Sequence, residues 1–351
     1  MSLCIALDAM GGDHGPRVVV PAALEALALH PELVLILVGD PVLIEKHLAE
    51  IGASPHPRLR IQAATQVVLM DDPPALALRK KTDSSMRVAL NLIKTGEAHA
   101  CVSAGNTGAL MATARYVLKM LPGVDRPAIV YALPTMTGHV HVLDLGANVD
   151  CEPKDLVQFA LMGSILASVV DNHPNPSIGL LNVGSEAMKG SAQVKQASEL
   201  LSHCTSLINY TGFVEGDDIY KGKADVVVCD GFVGNVALKV SEGLAKLFFQ
   251  SLKEAFSSSL YGKVMAFFML PLLKKLSARL DPNQHNGASL LGLKGVVIKS
   301  HGSAGINAFK RAIQVAIVEA QKNLPEKIQA QLMSQLPKMA ELPIERMSGL
   351  S

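Results

Sequence analysis

The sequence predicts an α/β protein: a three-layer α/β/α sandwich whose mainly parallel sheet is covered by helices on both faces. Short apolar runs alternate with longer segments of helical periodicity along the chain, which is the pattern of parallel βαβ units. The apolar residues are also aliphatic, since hydrophobic residues make up 49% of the 351 positions, aromatic residues 4%, and tryptophan is absent. Strands buried on both faces have this Val/Ile/Leu-rich composition.

Predicted strands and helices alternate throughout the first half of the chain. Residues 3–7 form a short apolar strand, and Pro16 suits the first turn of a helix over 16–30. Residues 33–38, LVLILV, predict a second buried strand. The next predicted elements are helix 41–51, strand 59–63, helix 84–95, strand 100–102, helix 110–120, adjacent strands 127–133 and 140–145, and helix 153–170.

The second half continues the alternation as far as a C-terminal tail. Its predicted elements are strand 178–183, helix 191–203, strand 207–210 with a turn at 212–216, strand 224–229, helix 235–256, strand 295–300 and helix 308–322. No internal repeat or linker compels two domains, so we expect one catalytic domain over 1–351. The tail, 326–351, is amphipathic and is expected to be peripheral.

Composition narrows the possible partners and the compartment. The net charge of +1 gives no reason to expect nucleic acid binding. The five cysteines are scattered without metal-ligand spacing, so we expect small buried hydrophobic side chains in a reducing compartment. No signal peptide and no apolar run of about 18 residues is evident, which predicts a soluble intracellular protein.

Six polar, glycine-bearing loops follow predicted strands, and together they predict one active-site crevice at the carboxyl ends of the sheet. They are 8–16, 103–108, 144–151, 184–191, 230–235 and 301–307. Dinucleotide, P-loop, zinc-protease and nucleophile-elbow motifs are absent, and neither a cofactor nor a metal is expected. Small neutral donors and one lysine suit a site that orients an anion and stabilises an oxyanion, with the substrate supplying the nucleophile.

The loop 184–191, GSEAMKGS, is organised around Lys189. A strand end that opens onto a helix N-terminus presents unpaired backbone N–H groups, and a lysine beside them makes a seat for phosphate. The order of residues is not that of a Walker loop, because Lys189 precedes Gly190. An ordinary connection with a surface lysine stays open as the alternative.

Two other stretches depart from the alternation. Residues 65–83 mix paired aspartates, two prolines and a basic run, which indicates a solvated loop or else a docking surface for an acidic partner. Residues 257–285 are rich in Phe, Met and Leu between lysines, and Pro271 is expected to interrupt any continuous helix. This segment predicts a protruding amphipathic helical hairpin that touches a membrane or an acyl chain, or alternatively a dimer interface or core helix pair.

Six motifs in order carry a family resemblance: DAMGGDHGP, SAGNTGA, LDLGANVD, LNVGSEAMKGS, DGFVGNVALK and HGSAGINAF. Over about residues 3–325 the chain resembles the PlsX family, the fatty acyl-ACP:phosphate acyltransferases of bacterial phospholipid synthesis. The resemblance implies a fold related to phosphotransacetylase and the isocitrate/isopropylmalate dehydrogenases, and a homodimer. It also implies that long-chain acyl-ACP and inorganic phosphate give acyl phosphate and ACP. A membrane-bound glycerol-3-phosphate acyltransferase of the PlsY type would consume the product.

The resemblance places functional weight on Lys189 and Asn235. We expect Lys189 to neutralise and position phosphate, and Asn235 to donate to the tetrahedral oxyanion. Further candidates for the phosphate and substrate pocket are Asp8, Gly11, Gly12, His14, Ser103, Asn106, Thr107, Asn148, Gly184, Ser185 and Ser191.

The predicted surface contacts lie outside that pocket. The expected membrane contacts are Phe267, Phe268, Leu270, Leu272, Leu273, Lys274 and Lys275, and the candidate cations for docking acidic ACP are Arg79, Lys80, Lys81, Lys263, Lys274 and Lys275. The expected location is cytoplasmic, peripherally associated with the inner membrane. Three rival classes stay open: a decarboxylating dehydrogenase, a short-chain phosphotransacetylase and a non-catalytic membrane scaffold.

Overall fold

One continuous sheet organises the part of the chain that the structure describes. This computed structural model describes residues 3–53, 55–204, 207–280 and 286–340, with side chains at all of these positions except 260, 262, 274–280 and 335–340. Its strands are β1 (Leu3–Asp8), β2 (Leu33–Gly39), β3 (Leu59–Ala63), β4 (Ala100–Ser103), β5 (Ala128–Pro134), β6 (His139–Leu143), β7 (Ser177–Leu181), β8 (Asn209–Val214), β9 (Val226–Val228), β10 (Ala288–Leu291) and β11 (Val296–Lys299).

Helices follow most of these strands, as the alternation predicts. They are α1 (Pro16–Leu29), α2 (Pro41–Glu50), α3 (Pro74–Lys80), α4 (Ser85–Lys94), α5 (Thr107–Leu118), α6 (Pro153–Val170), α7 (Ala192–His203), α8 (Asp218–Lys221), α9 (Gly231–Ser257), α10 (Leu260–Leu280), α11 (Ile306–Gln321) and α12 (Leu324–Ala340). Of the described helices, α6 alone is long and apolar enough to cross a membrane, and 61% of it is buried inside the protein.

The direction of the strands divides the sheet into two opposed halves. The eleven described strands lie in the order β3-β2-β1-β4-β11-β10-β5-β6-β9-β7-β8. Neighbours are parallel from β3 to β11 and again from β6 to β8, whereas β10 and β5 pair antiparallel with their neighbours. Because three successive antiparallel pairings separate the two parallel blocks, the block from β6 to β8 runs opposite to the block from β3 to β11.

Helices bury the sheet from both sides, which confirms the predicted three-layer sandwich. One core cluster packs α4 and α5 against the first half of the sheet, and another packs α1 and α11 against its opposite face. A third cluster packs α6, α7 and α12 against the second half. The cysteines are free, and all are buried except the half-buried Cys151, as expected of small hydrophobic residues.

One strand and several boundaries differ from the predictions. β10 was not predicted; it is only four residues long, and Gly287 and Gly292 flank it. β8 extends through Gly212, which was expected in a turn; its φ is +97°, and the register of β8 shifts beside it. α9 begins at Gly231 instead of 235, because the Asp230 side chain caps the helix by accepting from the backbone N–H of Val233.

The segment expected to break at Pro271 is a continuous helix. α10 runs through Pro271, and α9 and α10 pack together as the predicted hairpin. Proline removes the hydrogen bond that would reach the carbonyl of Phe267, but Phe267 is exposed, so water can satisfy that carbonyl. Residues 281–285 of this segment lie outside the described residues. In the stretch 65–83, α3 forms where a loop was expected.

The C-terminal tail was expected to be peripheral, but its first turns belong to the core. Leu324, Ile328 and Leu332 are each at most 3% exposed and lie in the cluster beneath α6. An amphipathic pattern cannot tell a helix that rests on the surface from one whose apolar stripe completes a core. Residues 341–351 lie outside the described residues.

A buried carboxyl group makes the stability of the fold depend on pH. Glu319 of α11 is 4% exposed and accepts a hydrogen bond from Ser289 of β10, and burial raises its pKa to about 7. The unfolded value is about 4.3, so the folded state binds more protons between these values. The stability contributed by protonated Glu319 is complete below pH ~4.3 and is lost as the pH rises through 7.

We expect Glu319→Gln to raise the free energy of unfolding by about 2 to 3 kcal/mol at pH 8 and to change it little at pH 4.5. Urea unfolding at both pH values measures this difference. Glu326→Gln, at an exposed position, is the control and should leave the pH dependence unchanged. The same pH dependence in Glu319→Gln and the wild type would contradict the assignment.

Candidate active site

The six polar loops divide between two opposite edges of the sheet. Loops 8–16, 103–108 and 301–307 follow β1, β4 and β11, and we call their position the Asp8 edge. Loops 144–151, 184–191 and 230–235 follow β6, β7 and β9, and we call their position the Lys189 edge. These two sets of strands run in opposite directions, but Lys239, one turn after Asn235 on α9, is close enough to Lys299 and His301 of the Asp8 edge to act on their charges. One crevice holding all six loops stays a prediction.

At the Lys189 edge, two glycines allow the loop 184–191 to fold back on itself. Gly190 has a φ of +98°, and a Cβ there would lie 2.1 Å from Oδ1 of Asn182. Nδ2 of Asn182 in turn donates to the carbonyl of Lys189 at 3.0 Å. A Cβ on Gly184 would lie 2.3 Å from Cδ of Lys189. The lysine stem therefore lies directly over the backbone of Gly184, and a side chain at position 184 would push it aside.

The ammonium group of Lys189 is charged and accessible. Its Nζ lies 2.9 Å from Oε2 of Glu186, and both side chains are about half exposed. The hydrogen bond with Glu186 raises the pKa of Lys189 and lowers the pKa of Glu186. Any anion that binds this ammonium group would compete with the Glu186 carboxylate for it.

The serines of this loop differ in their availability. Ser191 is the N-cap of α7, where its hydroxyl accepts from the backbone N–H of Val194 at 3.3 Å, so helix capping already uses this oxygen. Ser185 is exposed beside Glu186. Of the two predicted serine donors, the structure leaves Ser185 in the better position to meet a ligand.

Asn235 lies in the first turns of α9, against the loop 144–151. A Cβ on Gly146 would lie 3.5 Å from Cβ of Asn235 and 3.7 Å from its Oδ1. A Cβ on Gly234 would lie 1.9 Å from the carbonyl oxygen of Asp144, so the start of α9 packs directly on the backbone of that loop. Asn235 itself is exposed and shares an edge of the sheet with the Lys189 loop.

Asp144 and Asn148 hold the loop 144–151 in place. Asp144 is fully buried and accepts from the backbone N–H groups of Ile129 and Ala147 and from both nitrogens of Asn148. Burial raises the pKa of Asp144. Nδ2 of Asn148 also donates to the carbonyl of Pro127 at 2.7 Å, and the carbonyl of Asn148 accepts from Gly231. Asn148, predicted to shape the pocket, acts here as part of the scaffold.

At the Asp8 edge, the polar residues bind one another. Asp8 is 1% exposed, and its Oδ2 accepts from the hydroxyl of Ser103 at 2.6 Å; burial raises the pKa of Asp8. A Cβ on Gly11 would lie 2.6 Å from that same Oδ2, and Gly12, with a φ of +84°, packs on the carbonyl of Gly302. These glycines are required by close approach of the three loops.

The other candidates at the Asp8 edge have separate roles. Asn106 caps α5 through its Oδ1, and its Nδ2 donates to the carbonyls of Met70 and Asp72, so its amide is committed to structure. Thr107 is the first residue of α5, and His14 is exposed at the loop surface.

Sequence reasoning missed a buried lysine at this edge. Lys299 ends β11, is 8% exposed, and donates to the carbonyls of Ala104 and Ser300. Burial lowers the pKa of Lys299 to about 8, and the negative charge of Asp8 opposes that shift. The signal in the sequence was a lysine that closes the apolar run VVIK.

α9 connects the two edges. It begins at the Lys189 edge and passes His301 of the opposite edge, where Lys239, Glu242 and Lys246 contribute to the electrostatics of the imidazole. Burial is the main cause that lowers the pKa of His301. The backbone N–H of Ser303 donates to Nδ1 of His301, which assigns the proton of the neutral ring to Nε2.

The cysteines near the Lys189 edge are poor nucleophiles. Burial and the charges of Asp144 and Asp155 raise the pKa of Cys151 to about 12, and burial raises the pKa of Cys229 well above its usual value. Since the thiolate is the reactive form, neither thiol is activated for acyl transfer. The edge offers an exposed cation, an exposed amide and backbone donors.

The hairpin of α9 and α10 exposes many apolar side chains. Phe267 and Phe268 are 69% and 72% exposed, and Leu270 and Leu272 are also exposed, whereas Leu273 is half-buried. The side chains of Lys274 and Lys275 lie outside the described set. Exposed apolar side chains concentrated on one element are typical of surfaces that contact a partner or a membrane.

The sequence is similar to a known protein family and to characterised relatives over nearly its whole length. A family model described as "Fatty acid synthesis protein" matches residues 3–327. A phosphate acyltransferase from Nitrosococcus oceani is 58% identical over 336 residues, covering 95% of this chain and 97% of that protein. Another, from Methylococcus capsulatus, is 57% identical over 324 residues and covers 92% and 95% of the two chains.

A solved structure matches the fold over nearly the whole chain. A phosphotransacetylase from Streptococcus pyogenes superimposes with a TM-score of 0.61 at 19% identity, covering 92% of this chain and 94% of that one. At this identity the likeness concerns the fold alone, and it confirms the predicted phosphotransacetylase-related sandwich.

Proposed function

The chain belongs to the PlsX family of fatty acid synthesis proteins, and from this membership we propose that it converts long-chain acyl-ACP and inorganic phosphate to acyl phosphate and ACP. The protein is an enzyme, a phosphate acyltransferase. The identity of the acyl donor and the chain length are the proposed parts. The observation that carries the proposal is the Lys189 loop, which presents an accessible ammonium group at the edge where Asn235 lies.

In the proposed reaction, phosphate displaces Glu186 from the ammonium of Lys189 and attacks the thioester carbonyl directly. A new bond forms between a phosphate oxygen and the carbonyl carbon, and the carbonyl oxygen becomes an oxyanion to which Nδ2 of Asn235 donates. The carbon–sulfur bond then breaks, the thiolate of ACP leaves and takes a proton from solvent, and acyl phosphate remains. The raised pKa values of Cys151 and Cys229 support a route without an acyl-enzyme.

The test of this function is mass detection of acyl phosphate from palmitoyl-ACP and inorganic phosphate. Acetyl-CoA in place of palmitoyl-ACP distinguishes a short-chain phosphotransacetylase, and a spectral assay of NAD(P)H turnover distinguishes a dehydrogenase. If the Lys189→Ala variant still complements cells that lack the protein, the chain acts as a non-catalytic scaffold. Acyl phosphate formed faster from acetyl-CoA than from palmitoyl-ACP would overturn the proposed donor.

We also propose that the exposed hairpin brings the enzyme to the inner membrane from the cytoplasm. Acyl phosphate is short-lived in water and has an apolar chain, so release at a lipid surface would deliver it to a PlsY-type glycerol-3-phosphate acyltransferase for phosphatidic acid synthesis. The exposed Phe267, Phe268, Leu270 and Leu272 support this role.

Phe268→Glu is expected to weaken binding to anionic phospholipid vesicles at least ~10-fold, because a charge replaces an aromatic ring that would enter the acyl boundary. Flotation with vesicles measures binding, and turnover of soluble acyl-ACP should change little. Leu29→Glu places the same charge on another exposed apolar residue, 64% exposed at the end of α1, and should bind normally. If Phe268→Glu still floats with vesicles, the hairpin has another role.

The proposed homodimer and the ACP contact rest on exposed surfaces. α9 exposes an apolar row at helical spacing, Val236, Val240, Leu244 and Leu247, which suits a second copy of the chain. Among the candidate ACP cations, Arg79, Lys80 and Lys263 are exposed. Lys81 is different: it binds Asp72 and the carbonyl of Val67, so we withdraw it as a docking residue.

A further inference from the structure

Two histidines and an aspartate converge far from the Lys189 loop. Nε2 of His141 lies 2.7 Å from Oδ2 of Asp171, and Nε2 of His139 lies 3.1 Å from the same oxygen. The two rings stand edge to face, with centroids 5.0 Å apart. Within the described residues this is the group of three His, Cys, Asp or Glu side chains whose ligand atoms all lie within 4.8 Å of one another.

The fold explains why these residues meet. His139 and His141 are alternate residues at the start of β6, so their side chains project from the same face of the sheet. Leu143 continues that face and belongs to the core cluster beneath α6. α6 returns antiparallel to β6 and ends at the C-cap residue Asp171, which brings the carboxylate onto the two imidazoles.

The arrangement matches what a tetrahedral metal ion requires. Zinc takes histidine nitrogen and carboxylate oxygen ligands at about 2.0 to 2.2 Å, which puts neighbouring ligand atoms about 3.3 Å apart. The observed separations need only small movements to reach that geometry. His141 is held in place with 8% of its side chain exposed, whereas His139 and Asp171 are 41% and 27% exposed. Water can therefore reach the fourth position.

The charges around the cluster also favour a cation. A carboxylate oxygen already lies beside both imidazoles, since Oδ2 of Asp171 is 2.7 Å from Nε2 of His141 and 3.1 Å from Nε2 of His139. Asp225 is close enough to affect His139, and its Oδ2 is fixed by Ser177. Two basic side chains also lie close enough for electrostatic interaction: Arg311 interacts with His139, and His173 interacts with Asp225.

We propose that His139, His141 and Asp171 form a zinc site that joins the start of β6 to the end of α6. The site lies at the opposite end of β6 from Asp144 and the loop 144–151, so the ion has no contact with the Lys189 edge. Three protein ligands leave one position of the ion to water, and the bound ion would also join the strand to the helix. Binding to the folded chain then raises the stability of the fold by mass action.

The test is zinc binding by the full chain. Protein stripped with chelator and kept reduced is titrated with Zn²⁺ by calorimetry, and we expect one equivalent bound and a rise in the melting temperature. His141→Ala and Asp171→Asn should each weaken binding at least ~10-fold. His47→Ala is the matched control, since His47 pairs with a single carboxylate, Glu50, at 2.7 Å, and it should bind as the wild type does.

Two further measurements separate loss of a zinc ligand from loss of folding and identify the type of ligand. If His141→Ala does not fold, His139→Ala removes a more exposed ligand with less loss of packing. Cobalt substitution reports the ligands, because a thiolate ligand gives a near-ultraviolet charge-transfer band that a His/His/Asp site lacks. Equal affinity in His139→Ala, His47→Ala and the wild type would overturn the proposal, and so would a thiolate band or the absence of stoichiometric binding.

Discussion

Lys189→Ala is expected to lower acyl phosphate formation at least ~100-fold. The ammonium of Lys189 is the exposed cation of its loop, and its carboxylate partner Glu186 is itself exposed, so phosphate can take that partner's place. Without the cation, a doubly charged nucleophile has only backbone N–H groups to hold it. The loss should fall on both KM for phosphate and kcat, because the same contact binds the ion and orients its oxygen.

Steady-state assays with varied phosphate measure this effect. Lys195→Ala removes the same charge from an exposed position of α7 in the next turn and should retain near-normal activity. Glu186→Gln removes the competitor and should lower KM for phosphate. Near-normal turnover by Lys189→Ala, with the protein folded, would reject the assignment of the phosphate seat.

Asn235→Ala is expected to lower kcat ~100-fold with little change in KM for phosphate. A donor to the oxyanion acts only in the transition state, and its loss typically costs about 3 kcal/mol. Asn235 is exposed, and a Cβ on Gly146 would meet its side chain only at ordinary van der Waals distance, 3.5 Å, so its amide is accessible to a substrate.

The kinetic signature of Asn235→Ala separates this role from a structural one. Ser241→Ala is the control: it also lies on α9, and its hydroxyl donates to the carbonyl of Ala237 in the same helix. We expect it to be fully active. A rise in KM for phosphate without a fall in kcat would instead place Asn235 at the phosphate, and unchanged kinetics would remove it from the site.

Local patterns predicted most of the elements, because most of them have a signal of their own. LVLILV became β2, and the cap and apolar periodicity of 153–170 became α6 with the predicted bounds. The direction of the strands has no such local signal. Three successive antiparallel pairings, β11 with β10, β10 with β5 and β5 with β6, set the two parallel blocks in opposite directions, and local patterns indicate neither their number nor β10 itself.

The candidate site was predictable only in part for the same reason. Lys189 and Asn235 stood out by motif, and the structure brings their loops to one edge. Asn106 and Asn148 resemble ligand donors in the sequence, but a polar side chain in a loop can equally well hydrogen-bond the loop itself, and in the folded chain both do so. Asp171 lies 30 residues beyond His141, so no spacing rule connects them.

The most direct test of the mechanism is intact-protein mass spectrometry of the enzyme quenched after mixing with palmitoyl-ACP, with phosphate either withheld or supplied. Direct attack by phosphate predicts the mass of the unmodified chain under both conditions and acyl phosphate only in the second. A palmitoylated enzyme that accumulates without phosphate and disappears when phosphate is added would contradict the account.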